Sequence, residues 1–223
     1  MKIGILGTIN NPMLGLIVKS ISKKFRVNCI ILDSKDWTNK DKLIWEKRTK
    51  GGINQISPYS IDQLISFFLV NSHNSSRTEK LVKKRNIDLL INSGTPRILK
   101  SNILNSPNIG VLNCHPGLLP NYRGCTCLEW ALYNDDSVGN TAHLMTEKID
   151  EGPIIKQTIL DISQYKTYED IRVANYLNSI DVICEAVNLL NNSEINYEDY
   201  PKGGKYYSPI DKKRMAKILE KFV

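Results

Sequence analysis

The sequence predicts an α/β protein whose sheet is mostly parallel, and three observations lead to this fold class. The chain opens with a short apolar run ending in glycine at residues 2–7, a pattern typical of a buried strand followed by a turn. A helical pattern at 13–24 and a second apolar run at 27–32 complete a β-α-β start, which implies parallel strands. Two later apolar runs, 87–91 and 109–114, pass directly into polar turn residues. The expected architecture is a Rossmann-like sheet with helices on both faces.

The rest of the chain divides into helices, one further pair of strands and a tail. Residues 168–190 are predicted as a long helix because their apolar residues recur at helical spacing. We expect a catalytic domain over residues 1–190 and a small, hairpin-like C-terminal appendage over 191–223 that ends in a basic helix. The other predicted elements are a helix and a loop in 36–60, helices at 61–70, 78–85 and 125–134, and antiparallel strands at 139–146 and 153–160.

Composition and charge exclude several classes of protein. Hydrophobic residues make up 41% of the 223 residues, which argues against wholesale disorder. No apolar run approaches the roughly 18 residues that cross a bilayer, and the first ten residues lack the features of a signal peptide. The five cysteines form no CxxC pair, so we expect reduced thiols in a cytoplasmic protein and no metal site. The net charge of +7 favours acidic partners such as phosphorylated metabolites.

The most informative residues lie where one predicted strand ends. Asn113 and His115 stand two apart at the end of the run 109–114. Because side chains alternate along a strand, both are expected on the same side. An amide and an imidazole side by side can donate hydrogen bonds to a developing oxyanion, and the imidazole can also carry a proton. This pattern favours a catalytic pair over a histidine that only caps a turn.

A carboxylate further along the chain is the natural partner of this pair. Asp150 lies in a turn that ends in Gly152 and Pro153, between two predicted strands. A carboxylate close to His115 would orient the imidazole and stabilise its charged form. Taken alone, Asp150 would be an ordinary turn residue, so its significance depends on His115.

Together these residues stand in two motifs that resemble those of a known family. The stretch NCHPGLLPNYRG at 113–124 and the stretch DEGPII at 150–155 are similar to the paired motifs of the folate-dependent formyltransferases. The resemblance covers at least residues 87–157 and extends more loosely over 1–190. It implies the formyltransferase fold, N10-formyltetrahydrofolate as the donor, and Asn113, His115 and Asp150 as the catalytic triad. In that family the acceptor amine attacks the formyl carbon, the Asn and His hold the oxyanion, and the Asp assists proton transfer.

The resemblance also implies where the folate donor binds. Residues 93–100 look like the family's folate-side loop at a strand end, and residues 146–150 would line the pteridine pocket, mostly through backbone groups. A histidine on the strand before that pocket matches a family position, although a packed structural histidine explains it equally well. The cofactor-binding residues implied in this way are Arg97, Ile98, Leu99, His143, Glu147, Lys148 and Ile149.

Within the family, the sequence is most similar to the sugar-nucleotide N-formyltransferases. The similarity lies in residues 122–132, where an aromatic residue recurs at the position of Trp130. The resemblance implies a nucleotide-linked amino-dideoxy sugar as acceptor, with dTDP-4-amino-4,6-dideoxyglucose favoured, and a role in surface glycan or O-antigen biosynthesis. It also implies a homodimer with neither a nucleic acid nor a membrane as partner. The candidate substrate-binding residues are Tyr122, Arg123, Trp130, Lys205, Tyr206 and Tyr207, although the tyrosines of the tail fit an oligomer interface or a cover of the core equally well.

Other readings stay open. Glycinamide ribonucleotide formylation is disfavoured because the loop 7–14 lacks the glycines of a phosphate-binding loop and contains Pro12. The residues after 190 are too few for the tRNA-binding barrel of methionyl-tRNA formyltransferases, so we do not expect tRNA as the acceptor. A formyltetrahydrofolate hydrolase would use the same three residues with water as the acceptor. A nucleotide-binding module without catalysis is disfavoured because the run GILG at 4–7 is a poor dinucleotide fingerprint.

Overall fold

The computed structural model describes residues 1–61, 64–193 and 203–222. In these residues the strands are β1 (Ile3–Gly7), β2 (Val27–Asp33), β3 (Ser66–Val70), β4 (Leu89–Asn92), β5 (Gly110–His115), β6 (Tyr122–Gly124), β7 (Val138–Leu144), β8 (Ile154–Leu160) and β9 (Lys205–Tyr207). The helices are α1 (Leu14–Ser22), α2 (Asn39–Thr49), α3 (Ser76–Lys84), α4 (Ser101–Leu104), α5 (Cys127–Tyr133), α6 (Tyr168–Asn191) and α7 (Lys212–Glu220), with a short 3-10 turn at Pro58–Ser60.

The main sheet has seven strands in the order β3-β2-β1-β4-β5-β7-β8, and β6 and β9 form a second, two-stranded sheet. The pairs β1-β2, β2-β3, β1-β4 and β4-β5 are parallel, whereas β7 and β8 are antiparallel. The predicted fold class, a mostly parallel Rossmann-like sheet, is therefore confirmed. Along the chain, each predicted strand of this sheet is found within a few residues of its expected position.

The chain divides into two compact units. The first contains residues 1–42, 54–113 and 144–147, and the second contains residues 43–53, 114–143 and 148–223. α6 ends at Asn191, one residue after the predicted domain boundary at 190, and the division of the chain at that boundary stays a prediction.

The core of the first unit packs around β1, whose five residues are all buried. Ile5 pairs with Ile30 of β2 on one side and with Ile91 of β4 on the other, and all three side chains are fully buried. Because β2 and β3 lie on one side of β1 and β4 lies on the other, the strand order reverses at β1. Ligands of open α/β sheets bind beyond the carboxyl ends of the strands at such a reversal, which here means the loops after Gly7 and Asn92.

One predicted element of the first unit is wrong. Residues 61–70 were expected to form a helix, but Ser66–Val70 form β3, which pairs parallel with β2 from Cys29 to Asp33. The run contains Phe67, Phe68 and Val70, which favour strands. A short apolar run of this kind fits a strand or a buried helix equally well by periodicity, and the neighbouring edge of β2 decides between them.

The second unit contains the long helix and the tail. The side-chain oxygen of Thr167 caps α6 by accepting a hydrogen bond from the backbone N–H of Asp170 at 3.1 Å. Ile171, Ile183 and Val187 lie on the buried face of α6, which packs against β8. The predicted helix and antiparallel strands of this unit are therefore present.

The tail differs in detail from a hairpin-like appendage. Its described strand, β9, pairs parallel with β6, so that Tyr122 lies opposite Lys205 and Gly124 opposite Tyr207. The basic helix after it is α7, which contacts α5 and buries Ile218 completely. Within the described residues, the tail thus pairs with an earlier segment of the second unit rather than with a second strand of its own.

Candidate active site

His115 is the last residue of β5 and is almost completely buried, at 4% exposure. Its Nε2 lies 2.8 Å from the backbone oxygen of Tyr122, and its Nδ1 lies 3.5 Å from Oδ2 of Asp150. A carbonyl oxygen only accepts hydrogen bonds, so Nε2 carries a proton in every protonation state. In the neutral imidazole, the unprotonated nitrogen is therefore Nδ1, which faces the carboxylate.

The surroundings of His115 set its proton affinity. Burial is the strongest influence and lowers the pKa of His115, while the negative charge of Asp150 and the hydrogen bond to the Tyr122 carbonyl partly oppose that lowering. The net pKa lies below that of an exposed histidine. The imidazole is therefore neutral near pH 7 and can accept a proton at Nδ1, beside a carboxylate that would stabilise the resulting charge.

Asp150 is held in a strained turn. Its backbone adopts a φ of +55°, a left-handed conformation that costs energy in a residue with a side chain. Its Oδ2 accepts a hydrogen bond from the backbone N–H of Gly124 at 2.8 Å, and its Oδ1 lies 3.7 Å from Nε2 of His143. The carboxylate thus lies between two buried imidazoles, those of His115 and His143. The structure brings together these three residues, which were singled out from the sequence.

Gly124 is essential to this arrangement. Its φ of +96° lies in the region that favours glycine, and a Cβ there would stand 2.4 Å from the backbone oxygen of Tyr207. Any side chain would therefore push β9 away from β6. The same residue supplies the N–H that holds Asp150, so its backbone both admits the tail strand and fixes the carboxylate.

Asn113 belongs to the first unit, on the same strand as His115 and two residues before it. Its Oδ1 accepts a hydrogen bond from Nδ2 of Asn92 at 2.9 Å. Asn92 is the last residue of β4, and its own Oδ1 accepts from the backbone N–H of Thr95 at 2.7 Å. The candidate catalytic amide is therefore positioned by the loop that follows β4.

The predicted folate loop after β4 has its own anchors in the first unit. Arg97 donates to Asp33 through Nε at 2.6 Å and through Nη2 at 2.9 Å, and Nη2 also donates to the backbone oxygen of Asn71 at 3.0 Å. Ile98 is 74% exposed, whereas Leu99 is buried in the core. Arg97 thus ties the loop to the end of β2, and Ile98 presents an apolar side chain to solvent.

Sequence reasoning missed the two residues behind Arg97. Asp33 and His73 are both fully buried, and the backbone N–H of His73 donates to Oδ2 of Asp33 at 2.7 Å. Nε2 of His73 lies 2.9 Å from the backbone oxygen of Ile31, and Nδ1 lies 2.7 Å from Oγ1 of Thr95. An acidic residue at the carboxyl end of β2 was a signal for such a site. Its partner His73 was hidden because β3 was interpreted as a helix, which concealed the strand end that positions it.

Charge in this cluster is balanced. Burial would raise the pKa of Asp33, but hydrogen bonds from Arg97, Lys35 and His73 outweigh it and bring the pKa below its usual value. Burial lowers the pKa of His73, so the imidazole is neutral, with Nε2 donating to a carbonyl and Nδ1 accepting from a hydroxyl. Asp33, His73 and Arg97 therefore form a satisfied ionic network rather than an open site.

The remaining cofactor candidates lie in the turn before Asp150. Glu147, Lys148 and Ile149 are all exposed, and Nζ of Lys148 lies 3.7 Å from Glu151. Ile149 is 44% exposed, so its apolar side chain is open to solvent in the turn between β7 and β8. Their predicted contacts with a folate stay a prediction.

The substrate candidates of the second unit form two groups. Tyr122, Trp130 and Tyr207 pack together: the rings of Tyr122 and Tyr207 stack at 5.1 Å, and those of Trp130 and Tyr207 lie 5.0 Å apart. Their polar atoms are used within the protein, since the Tyr122 hydroxyl donates to Asp136 and Trp130 Nε1 donates to the backbone oxygen of Ser208 at 2.8 Å. This packing supports the alternative interpretation of Tyr207, a tyrosine of the tail, as a cover of the core.

The second group remains accessible or charged. Arg123 forms an ion pair with Glu151 at 2.5 Å and donates to the backbone oxygen of Gly203 at 3.1 Å. Lys205 lies over the ring of Tyr207, with Nζ 4.8 Å from its centre, and Tyr206 is 51% exposed. Contacts of these residues with an acceptor stay a prediction.

Within the ranges 1–61, 64–193 and 203–222, no helix combines the length and the apolarity that crossing a bilayer requires. In the same described residues, no three side chains of the metal-ligating types come together as a metal site would need.

The fold and the site define a class: an α/β protein with a reversed strand order and a buried His–Asp pair at the end of a sheet strand. Comparisons with known proteins make the class specific. A family model described as formyl transferase matches residues 1–181. Methionyl-tRNA formyltransferase from Borrelia hermsii is 32% identical over 139 residues, which are 62% of this chain and 45% of the relative.

Solved structures show the same fold. Glycinamide ribonucleotide transformylase 1 from Symbiobacterium toebii superposes with a TM-score of 0.64 at 22% identity, covering 89% of this chain and 91% of that one. A sugar N-formyltransferase from a Shewanella species superposes with a TM-score of 0.64 at 19% identity, covering 94% and 77%. The chain belongs to the formyl transferase family. It spans about half the length of the curated relatives it matches, at 45% of the Borrelia hermsii protein.

Proposed function

We propose that this chain is an enzyme that transfers a formyl group from N10-formyltetrahydrofolate to a primary amine. The observation that best supports this activity is the buried pair of His115 and Asp150, whose Nδ1 and Oδ2 atoms are 3.5 Å apart, in a chain of the formyl transferase family. The pair stands at the end of β5, and Asn113 stands two residues earlier on the same strand. Acyl transfer to an amine requires a general base that removes the amine proton and a hydrogen-bond donor that stabilises the oxyanion. A histidine beside a carboxylate and a nearby side-chain amide can provide these two functions.

The proposed chemistry assigns a role to each residue. The folate donor supplies the formyl group: the bond from the formyl carbon to N10 is replaced by a bond to the amine nitrogen, and one proton moves from the amine to N10. Neutral His115 accepts the amine proton at Nδ1, and Asp150 stabilises the imidazolium. Asn113 donates a hydrogen bond to the formyl oxygen as negative charge develops there. His143, on the other side of Asp150, keeps the carboxylate in place.

The residues that we propose for the folate include two exposed apolar side chains. Ile98 and Ile149 are exposed apolar side chains, at 74% and 44% exposure, and each would gain by covering an aromatic ring system. Leu99 is buried and would shape the loop from below. The others proposed to contact the donor directly or through backbone groups are Arg97, His143, Glu147 and Lys148.

For the acceptor, we propose a nucleotide-linked amino-dideoxy sugar, with dTDP-4-amino-4,6-dideoxyglucose as the first candidate. Support comes from the net charge of +7, which suits a diphosphate, and from the fold shared with a sugar N-formyltransferase. Arg123, Lys205 and Tyr206 are the proposed contacts. The same proposal includes a cytoplasmic homodimer that serves surface glycan biosynthesis, and sedimentation of the intact protein tests its oligomeric state.

Two other acceptors have specific support and belong in the same test. The methionyl-tRNA formyltransferase of Borrelia hermsii is 32% identical to this chain, which favours an aminoacylated tRNA. The glycinamide ribonucleotide transformylase of Symbiobacterium toebii is covered over 91% of its length, which favours a small phosphorylated amine. All three acceptors share the primary amine that His115 would deprotonate.

The test is a mass-spectrometric assay of the purified protein with N10-formyltetrahydrofolate and a panel of acceptors. The panel contains 3-amino and 4-amino sugars linked to dTDP or UDP, glycinamide ribonucleotide, methionyl-tRNA and a sample without acceptor. We expect one amino-sugar nucleotide to gain a formyl group, with one tetrahydrofolate formed for each product. His115→Ala and Asn113→Ala should each slow the formation of this product by at least about 100-fold.

The outcomes separate the candidates. Formylated methionyl-tRNA or glycinamide ribonucleotide would keep the formyl transfer and replace the sugar. Formate released at full rate without an acceptor would show a hydrolase instead. No consumption of the folate under any condition, in a protein that is folded by circular dichroism, would refute the proposed activity.

A further inference from the structure

The hydrogen bonds around Asn113 define which end of its side chain points where. Asn92 and Asn113 are neighbours on parallel strands, because the register pairs Ile91 of β4 with Leu112 of β5 immediately before them. Nδ2 of Asn92 lies 2.9 Å from Oδ1 of Asn113. An amide has a donor end and an acceptor end of nearly the same shape, so its orientation follows from its partners.

The backbone of Thr95 fixes the first amide. Its N–H can only donate, and it lies 2.7 Å from Oδ1 of Asn92. The oxygen of Asn92 must therefore face Thr95, which leaves the amino group of Asn92 facing Asn113. That amino group can only donate, so Asn113 must present its own oxygen to Asn92. The orientation of both amides follows from a single unambiguous backbone donor.

This chain of bonds has a catalytic consequence. With its oxygen bound to Asn92, Asn113 directs its amino end away from Asn92. An oxyanion needs a hydrogen-bond donor and is repelled by a carbonyl oxygen. We propose that Asn92 is a positioning residue that orients Asn113 to present an N–H, and not an oxygen, to the formyl oxygen. The inference rests on the proposed function, because it needs Asn113 to contact the reacting group.

The loop that provides the N–H of Thr95 is itself anchored. Oγ1 of Thr95 lies 2.7 Å from Nδ1 of His73, which is fully buried and also bonded to the backbone oxygen of Ile31 at 2.9 Å. We call the bonds from Thr95 through Asn92 to Asn113 the amide relay. The amide relay needs a rigid donor, because a mobile loop would allow the side-chain amide of Asn92 to rotate by 180°. The relay therefore begins in the ionic network behind the folate loop and ends at the candidate catalytic amide.

The test is the substitution Asn92→Asp compared with Asn92→Ala. An aspartate keeps an oxygen for Thr95 but turns an acceptor toward Asn113, which must then rotate its amino group to the aspartate and its oxygen to the substrate. We expect kcat to fall about 100-fold, close to the loss of one oxyanion donor, with the KM for the folate changed less than about threefold. Alanine imposes no orientation, so both orientations are populated and kcat falls about two- to tenfold.

Two controls make the result specific. Asn28→Asp makes the same isosteric change in the same unit, where Oδ1 of Asn28 accepts from the N–H of Ile3 at 3.1 Å, and it should leave kcat unchanged. Asn92→Asp should have little further effect on an Asn113→Ala enzyme, because the residue that it reorients is gone. A purely structural role for Asn92 would instead reduce kcat by the same factor in both backgrounds.

The results decide the inference in either direction. Asn92→Asp within threefold of the wild type, or an alanine variant that is slower than the aspartate variant, would overturn the relay while the formyl transfer itself stands. Wild-type kcat in Asn113→Ala would overturn the proposed role of Asn113, and the relay with it. Thermal unfolding of each variant identifies any loss of activity that comes from loss of the fold.

Discussion

The most demanding stability prediction concerns Asp33, which is fully buried at the end of β2. Each of its oxygens accepts two hydrogen bonds. Oδ1 accepts from the N–H of Lys35 at 2.8 Å and from Nη2 of Arg97 at 2.9 Å, and Oδ2 accepts from the N–H of His73 at 2.7 Å and from Nε of Arg97 at 2.6 Å. In Asp33→Asn, an amino group replaces one oxygen and faces two donors.

The expected loss in the free energy of unfolding follows from the two hydrogen bonds that Asp33→Asn removes. One backbone hydrogen bond to a buried carboxylate is lost, worth about 1.5–3 kcal/mol. The second lost bond comes from Arg97, whose side chain is 29% exposed, so water replaces part of it and it adds at most about 1 kcal/mol. We expect the free energy of unfolding to fall by about 3 kcal/mol, which lowers the Tm by about 6–12 °C in a chain of this size.

The assay is urea unfolding followed by circular dichroism, with Asp88→Asn as the matched control. Asp88 accepts one bond per oxygen, from the N–H of Lys2 at 2.6 Å and from Asn108 at 2.7 Å. The asparagine that replaces it can keep one of these bonds, and the cost should stay below about 1 kcal/mol. A cost for Asp33→Asn no larger than that for Asp88→Asn would refute the reasoning. Because Arg97 would lose one of its two bonds to residue 33, its proposed contact with the folate should weaken, and the KM for N10-formyltetrahydrofolate should also rise while the KM for the acceptor stays constant.

The same carboxylate predicts a dependence of stability on pH. The pKa of Asp33 is lowered in the folded protein, so the stability that Asp33 contributes is present above the pKa of the unfolded chain, about 4. It is lost as the pH falls through the lower, folded pKa. The difference in unfolding free energy between the wild type and Asp33→Asn should therefore shrink below about pH 4. A difference that stays constant down to acid unfolding would contradict this assignment.

Three further predictions concern the second unit. His115→Ala should lower kcat about 1000-fold in a protein that still folds by circular dichroism, and activity close to the wild type would contradict its role as the base. Asp150→Asn removes the negative charge that raises the pKa of His115, so the acidic limb of the pH–rate profile should move to lower pH as kcat falls; an upward move would exclude the proposed pairing. Oε2 of the buried Glu129 lies 3.7 Å from Nη1 of Arg172, and Arg172→Met leaves Glu129 without that partner. Urea unfolding should show a loss of about 3–5 kcal/mol in the free energy of unfolding. The control Arg48→Met changes a partly exposed partner of Glu129 and should cost less than about 1 kcal/mol.

Local patterns in the sequence predict the sheet and much of the second unit's site. The end of β5 follows from an apolar run that stops at polar residues, and the pairing of His115 with Asp150 was expected because the two motifs occur together. β3 was misread because a short run with Phe67 and Phe68 has no decisive period, and only the adjacent edge of β2 makes it a strand. Hydrophobic periodicity predicts single helices and strands, but it gives no information on which neighbouring strand each of them pairs with.

The ionic network and the amide relay were beyond sequence reasoning for a different reason. Asp33, His73 and Arg97 stand far apart along the chain and meet only because β3, β2, β1 and β4 are consecutive strands of one sheet. Asn92 and Asn113 are both asparagine, so the sequence does not show which of them donates the hydrogen bond between them. Its direction depends on the backbone N–H of Thr95. Such bonds become visible only when the strand order and register are known.

The pairing of β6 with β9 has a consequence for the timing of folding. The backbone of β6 accepts a hydrogen bond from His115 Nε2 at Tyr122 and donates one to Asp150 at Gly124, yet its partner strand begins 83 residues later in the chain (205 − 122). At about 5–20 residues per second, a ribosome needs several seconds between the two strands. During that interval the segment bearing His115 is exposed without its final support. The chain is therefore expected to acquire its His–Asp geometry only after β9 has been synthesised, and slow translation between β6 and β9 would prolong a state that proteases can attack.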